Sequence, residues 1–236
     1  MTLTVQKLTH YFNHPDDYLY KNVSLKFNPS TLYAIVGESG SGKTTFVSFL
    51  AGLDSPASGL ISYNGKDIRK IGLTKYRNQD VTVVFQAYNL MNYMTALENV
   101  VSALSITKSK HAGNRQYAID LLASVGIEGE LATKNVQKLS GGQQQHVAIA
   151  RALAVDAPIV VADEPTGNLD EQNTKEITEI FQRVAHQSKK TVIMITHDQK
   201  VADMADVKIM LENRQFTVKN SPDKVSDDKP SAVSIN

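Results

Sequence analysis

Hydrophobic and polar positions along this chain follow two rhythms. Leu3 and Val5, then Leu8, are spaced like a strand with an irregularity before Leu8, and Val23-Ser24-Leu25-Lys26-Phe27 alternates cleanly. Alternation of this kind belongs to a sheet with one face in the core. Leu32-Tyr33-Ala34-Ile35-Val36 differs, being a continuous apolar run that ends in glycine. It reads as a strand buried on both faces that feeds a turn. A helix is expected from Lys43 to Leu50, closed by Gly52. Leu60-Ile61-Ser62-Tyr63 reads as a strand entering a tight turn at Asn64-Gly65, and Val81-Thr82-Val83-Val84-Phe85 as another buried strand. From residue 87 to 150 the spacing turns helical, over 96–106, 114–125 and 142–155, with Gly126 ending the second segment. Strands return at Ile159–Ala162, 191–196 and 207–211, separated by a helix over 171–187 and a short one from 198. Strand–helix alternation implies an α/β fold with a mostly parallel sheet covered on both faces. An antiparallel β subdomain and a helical subdomain inserted at 87–150 complete the expected domain, residues 1–218. The stretch 219–236 is Ser, Asp, Lys and Pro with little apolar content and is expected to be a mobile tail.

Composition narrows the partners. A length of 236 residues with 42% hydrophobic content suits one large domain with a sizeable core. The net charge is only +1 and the basic residues are spread along the chain, so there is no electrostatic footprint for nucleic acid. No cysteine is present, which excludes a disulfide scaffold and a thiolate metal site. Met1-Thr2-Leu3-Thr4-Val5-Gln6-Lys7 has no basic stretch before an apolar run, so no signal peptide is expected. No apolar run approaches the roughly 20 residues that span a bilayer. A cytoplasmic protein is expected, with any membrane role conducted through a partner.

Gly37-Glu38-Ser39-Gly40-Ser41-Gly42-Lys43-Thr44, followed by Thr45, lies between the expected buried strand and the expected helix. This is the spacing of a phosphate loop. Its glycines let the backbone curl so that several N–H groups face inward as an anion nest. The helix starting near Lys43 adds its positive end. Lys43 would place a full charge on the β and γ phosphates of ATP, and Thr44 would offer a hydroxyl to Mg²⁺. A flexible loop that merely caps a helix would explain the glycines but not the lysine at this spacing. The strand Ile159–Ala162 ends in Asp163-Glu164. Asp163 is placed to hold Mg²⁺, directly or through water, and Glu164 to activate the attacking water as general base. Successive strand residues point to opposite faces, so the two acids can share a site only if the strand ends there, as Pro165 suggests.

Leu139-Ser140-Gly141-Gly142-Gln143-Gln144-Gln145 supplies a second anion site of the same physics, a serine and two glycines at a helix start. With Val147-Ala148-Ile149-Ala150-Arg151-Ala152-Leu153 after it, this stretch resembles the signature of ATP-binding-cassette (ABC) ATPases, and the resemblance covers roughly residues 2–218. It implies a phosphate-loop NTPase of the RecA-like kind, working as a head-to-tail homodimer. Ser140, Gly141 and Gly142 of one subunit would there face the γ-phosphate held by the other. Other positions match in order. Gln86 corresponds to the glutamine that contacts Mg²⁺ or the water and links the site to a membrane permease. Asn168-Leu169-Asp170 corresponds to the loop that crosses the dimer interface, and His197 to the histidine that touches the γ-phosphate. An aromatic of the first strand should stack on adenine; Tyr11 and Phe12 are both candidates, and counting from Leu8 favours Phe12.

The sequence departs from the family pattern at His146, where arginine is usual, at Asn92, where proline is common, and at Asn213-Arg214, which replaces an Asp-Gly turn. The run Ala162–Asp170 and the triple glutamine resemble the branch that serves lipoprotein release, macrolide efflux and antimicrobial-peptide export. That branch implies an ATPase peripheral on the inner face of the cell membrane, bound there through a separate permease. The groove from Gln86 to Glu98, with Tyr88, Leu90, Met91, Tyr93 and Met94, is where the permease would dock. A regulator of cell division or envelope signalling belongs to the same branch. A soluble nucleic-acid ATPase is disfavoured by the single cassette and the absence of a basic face.

Overall fold

The computed structural model describes residues 1–14, 16–107 and 109–220. The alternating segments near the start pair first. Strands β1 (Leu3–Tyr11) and β2 (Tyr18–Phe27) run antiparallel, and β4 (Ser58–Tyr63) and β5 (Lys66–Asp67) extend them into a sheet of order β2-β1-β4-β5. The irregularity before Leu8 is a bulge: the register shifts between Val5 and Leu8, and Lys7 has φ 48°. Gly59 of β4 lies against it so closely that a Cβ there would fall 2.5 Å from Leu8 Cα. Asn64 and Gly65, at φ 50° and 76°, form the expected left-handed hairpin turn.

The second sheet begins with the apolar run as β3 (Thr31–Gly37), followed by α1 (Lys43–Leu50). After α2 (Ile68–Ile71) and α3 (Leu73–Gln79) comes β6 (Val81–Val84). The helical insertion contains α4 (Ala96–Ile106), α5 (Arg115–Ser124), α6 (Glu130–Thr133), a 3₁₀ turn at Val136–Lys138 and α7 (Gly141–Leu153). The chain then returns as β7 (Ile159–Asp163), α8 (Glu171–His186), β8 (Thr191–Thr196), α9 (Gln199–Asp203), β9 (Val207–Glu212) and β10 (Gln215–Asn220). The sheet order is β10-β9-β3-β8-β7-β6, parallel throughout except for β10.

Burial explains why this sheet reads as continuous apolar runs. Leu32, Ala34, Val36, Val160, Ala162, Val192 and Met194 belong to a core shared with α4, α7 and α8. Their neighbours Tyr33, Ile35, Ile159, Val161, Ile193 and Ile195 belong to another, built with Phe46, Val47, Phe49 and Leu50 of α1 and the inner face of the antiparallel sheet. Both faces are covered, so both alternating sets must be apolar. The parallel register matters most for function. Val36 pairs with Thr196, Asp163 with Ile195, and Val84 with Ala162. The loops after β3, β6, β7 and β8 therefore open along one edge, where ligands of such sheets bind.

Several boundaries differ from the sequence reading: β2 already starts at Tyr18, and the short helices α2, α3 and α6 add to the expected elements. Phe85 lies just beyond β6 and is partly exposed, because pairing with β7 stops at Val84. Strand β10 was not anticipated. Asn213 and Arg214 both adopt left-handed φ, 48° and 64°, and turn the chain back onto β9. Arg214 is held there by donating to Asp17 Oδ1 at 3.1 Å. The expected tail therefore begins inside β10 at Lys219 and Asn220, and its remainder, 221–236, lies outside the described residues.

His146 packs on α7 with only 8% of its surface exposed, and its Nε2 has no partner among the described residues. Burial lowers its pKa from the ordinary value near 6.5; Glu176 and a hydrogen bond to the Val125 backbone oppose this, and Arg183 adds to it. The folded state thus binds fewer protons here than the unfolded chain. Stability from this position is intact above about pH 6.5 and declines as pH falls below it, by at most about 1.4 kcal/mol per pH unit for one proton. Urea unfolding should show a lower midpoint at pH 5.5 than at pH 7.5, and His146→Gln should shrink that difference. An unchanged difference would place the acid sensitivity elsewhere.

Candidate nucleotide site

Strand β3 delivers its backbone to the loop at Gly37. A side chain is impossible there without movement, since a Cβ would lie 2.5 Å from the Leu211 carbonyl oxygen of β9. The loop closes with Ser41 N donating to Glu38 O at 3.2 Å. Gly42, at φ 99°, opens α1, and a Cβ on it would meet the Leu19 side chain at 2.6 Å. No side chain caps α1, and no acidic residue lies in its first turn. The first amides of the helix are thus free of intrahelical partners and present an open positive end. Lys43 is 4% exposed and folds back over the loop, donating from Nζ to Gly37 O at 2.9 Å and Glu38 O at 2.7 Å. A full positive charge therefore lies at the centre of the loop.

The first turn of α1 meets the end of β7. Thr44 Oγ1 donates to Asp163 Oδ1 at 3.2 Å. Burial raises the Asp163 pKa, and the neighbouring Glu164 charge adds to this; the Thr44 hydrogen bond and Lys43 oppose it. One residue on, the strand ends as the adjacent acids require. Glu164 N still donates to Ile195 O at 3.2 Å, but its φ is 44°. This left-handed step redirects its carboxylate, and Oε2 comes 3.4 Å from His197 Nδ1, just past the end of β8. Gln86 arrives from the loop after β6. A Cβ on Gly167 would lie 3.1 Å from Gln86 Nε2 and 3.5 Å from Glu164 Oε2. Glu164 and His197 line a cavity of about 130 Å³ together with Thr166, Gly167, Leu169, Thr174, Thr196 and Asp198.

The signature segment is built differently. Ser140 caps α7 by accepting from Gln143 N at 3.3 Å, while Ser140 N donates to Gln143 Oε1 at 3.1 Å. Such a box fixes where the helix starts. The glycine pair also has a packing reason. A Cβ on Gly141 would lie 2.9 Å from the Tyr88 hydroxyl, and one on Gly142 would lie 2.4 Å from Asn173 Oδ1. Asn173 is itself held by Asp170, at 2.8 Å through its backbone N and 2.7 Å through Nδ2. Among the described residues no hydrogen bond joins Ser140–Gly142 to the 37–45 loop.

Phe12 follows β1 and is 67% exposed, whereas Tyr11 is half-buried and paired with Tyr18. The structure thus brings Gly37–Thr45, Gln86, Asp163, Glu164 and His197 to one sheet edge, while Ser140–Gly142 packs against Tyr88 and Asn173. Gly167, Thr166, Thr174 and Asp198 were missed by the sequence reading. Thr166, Gly167 and Asp198 adjoin Glu164 and His197 in sequence, whereas Thr174 reaches the cavity from α8 through folding.

A phosphate loop before a helix, with an acidic strand end beside it, defines a phosphate-loop ATPase. The family model described as ABC transporter matches residues 20–167, and the chain belongs to that family and is an ATPase of it. It is 49% identical over 219 residues to the uncharacterized ABC transporter ATP-binding protein YclH of Bacillus subtilis (strain 168), covering 93% of this chain and 97% of that one. It is 39% identical over 185 residues to the lipoprotein-releasing system ATP-binding protein LolD of Geobacter metallireducens, covering 77% of this chain and 82% of that one. Among solved structures, the dimeric structure of MJ0796, a bacterial ABC transporter cassette, superposes with a TM-score of 0.83 at 33% identity, covering 93% of this chain and 98% of that one.

Proposed function

We propose that two copies of this chain clamp two ATP molecules head to tail and drive a separate membrane permease. The permease would export or remove a lipophilic or peptide substrate. The observation that carries the dimer is that two helix starts with anion-binding chemistry, Gly37–Thr44 and Ser140–Gly142, are built separately within one chain. Lys43 folds over the first, while Ser140–Gly142 packs against Tyr88 and Asn173 and shares no hydrogen bond with the 37–45 loop among the described residues. The dimeric state of MJ0796 and the name of the LolD relative support the reading. In each site Lys43, Thr44 and Thr45 hold phosphate, Phe12 stacks on adenine, and Ser140, Gly141 and Gly142 of the second copy close over the γ-phosphate. Glu164 takes the proton of the attacking water, Gln86 contacts Mg²⁺ or that water, and His197 touches the γ-phosphate. Thr44 Oγ1 and Asp163 Oδ1 are adjacent hard oxygens, which suits Mg²⁺. Among the described residues no group of three or more His, Cys, Asp or Glu could hold a metal, so phosphate oxygens, water and Gln86 would complete the shell. Bound there, Mg²⁺ neutralises charge developing on the phosphates.

The permease-facing surface is the loop after β6. Tyr93 is 79% exposed and Phe85 partly so, whereas Leu90 packs against the core. The loop is pinned from behind, by Asn99 Oδ1 accepting from Met91 N at 2.9 Å and by Arg151 donating to Tyr88 O at 3.1 Å. An apolar tip on a fixed base suits a docked helix. No helix among the described residues is long and apolar enough to cross a membrane, so the chain would lie on the inner face through its partner. Reconstitution of this ATPase in liposomes with a membrane protein that co-purifies with it tests the reading. ATP-dependent movement of a lipopeptide or macrolide probe is expected. ATP turnover that the membrane protein stimulates with no probe moved would favour the regulatory alternative.

A further inference from the structure

The aromatic assigned to adenine does not stand alone on the surface. The His10 ring lies edge-on to Phe12, with centroids 5.0 Å apart and an interplanar angle of 88°. On its other side His10 meets Phe49 at 4.9 Å and 66°, and Tyr20 lies 6.5 Å away. Phe49 is fully buried in α1, the helix whose first turn carries Lys43 and Thr44. Both ring nitrogens of His10 are buried and have no hydrogen-bond partner among the described residues. The ring is therefore held by aromatic contact and packing rather than by hydrogen bonds. The β1–β2 register shifts on both sides of His10, between Leu8 and His10 and again between His10 and Tyr11. Such irregularities re-aim side chains at a sheet edge.

We infer that His10 is a positioning residue for the adenine base, bracing Phe12 against α1 so that the exposed ring is already oriented when nucleotide arrives. This rests on the reading of Phe12 as the stacking aromatic. An unsupported exposed phenyl ring samples several rotamers, and stacking on it must first select one. An edge-to-face partner anchored in the core removes that selection, because aromatic pairs favour this geometry. The chain from Phe12 through His10 to Phe49 also ties the base platform to the helix that holds the phosphates. Base and triphosphate then bind at a set separation.

The test uses the full-length protein and two probes, Mg·ATP and inorganic tripolyphosphate, which has no base. His10→Ala and His10→Leu should each weaken ATP binding by about three- to tenfold, the range expected for one aromatic pair. Tripolyphosphate affinity and turnover at saturating ATP should be unchanged. His10→Phe, which keeps a ring, should stay within about twofold of the parent in ATP affinity. The leucine variant fills the same space and carries the test if the alanine variant does not fold. Phe12→Ala should weaken ATP alone, and adding His10→Ala to it should cost nothing further. Equal weakening of both probes by His10→Leu would overturn the proposal, because the effect would then run through the fold of α1. Unchanged ATP affinity in His10→Leu beside a weakened Phe12→Ala would overturn it while leaving the stacking assignment standing. If Phe12→Ala has no effect on ATP, the stacking assignment itself fails and the proposal falls with it.

Discussion

Glu164→Gln should bind ATP as the parent does, fail to hydrolyse it, and accumulate as an ATP-dependent dimer. The carboxylate lies 3.4 Å from His197 Nδ1 and beside Gln86 at Gly167. The amide keeps its size and hydrogen-bonding reach but cannot accept a proton from water. A positioned general base contributes roughly 10²–10⁴ in rate, so turnover should fall at least about a hundredfold. Affinity should change little, because in the proposed site Glu164 holds no phosphate and most phosphate contacts would come from α1 and the loop before it. In the proposed clamp each site would be complete only on closure, so blocking hydrolysis should hold it shut. Size-exclusion chromatography with ATP and Mg²⁺ reads this directly, and a variant that elutes only as monomer would count strongly against the clamp.

Lys43→Ala should lose nucleotide binding. The Lys43 ammonium group donates to Gly37 O and Glu38 O, which ties the loop's two ends together. The substitution removes the charge and the tie at once. Hydrogen bonds to charged groups are worth about 1.5–3 kcal/mol each, so the affinity for ATP should drop at least about tenfold. Circular dichroism should be unchanged, since Phe46 and Phe49 of the same helix remain buried. Titration with a fluorescent ATP analogue checks the loss; unchanged affinity would sink the assigned role.

The segments that could be read from sequence were those whose structure is set by near neighbours. The β3–loop–α1 unit was legible because an apolar run, curling glycines and a helix former follow one another within Thr31–Leu50. The bulge before Leu8 was legible as broken alternation. Strand β10 was not: Asn213-Arg214 read as the place of a turn, but what turns the chain back onto β9 includes the Asp17 contact to Arg214, from 197 residues away. The glycine pair after Ser140 was legible as an anion site but not as a packing requirement. Tyr88 and Asn173, the side chains that press on it, lie in other elements. Phe12 was favoured by counting, and its support by His10 and Phe49 depends on where α1 lies beneath β1.

What the chain's sequence determined by itself was therefore its chemistry: a phosphate cradle, an acidic strand end and a second helix-start anion site, each a local arrangement of backbone and neighbouring side chains. What only the tertiary structure decided was which of these meet. Pairing of Val36 with Thr196 and of Asp163 with Ile195 sets the loops side by side, although long stretches of chain separate them. That register comes from burying both faces of the sheet, and a slip of one residue would exchange the two faces and their cores. The same packing brings the Gly37–Thr44 loop and the acids to one edge and seats the Ser140–Gly142 helix start against Tyr88 and Asn173.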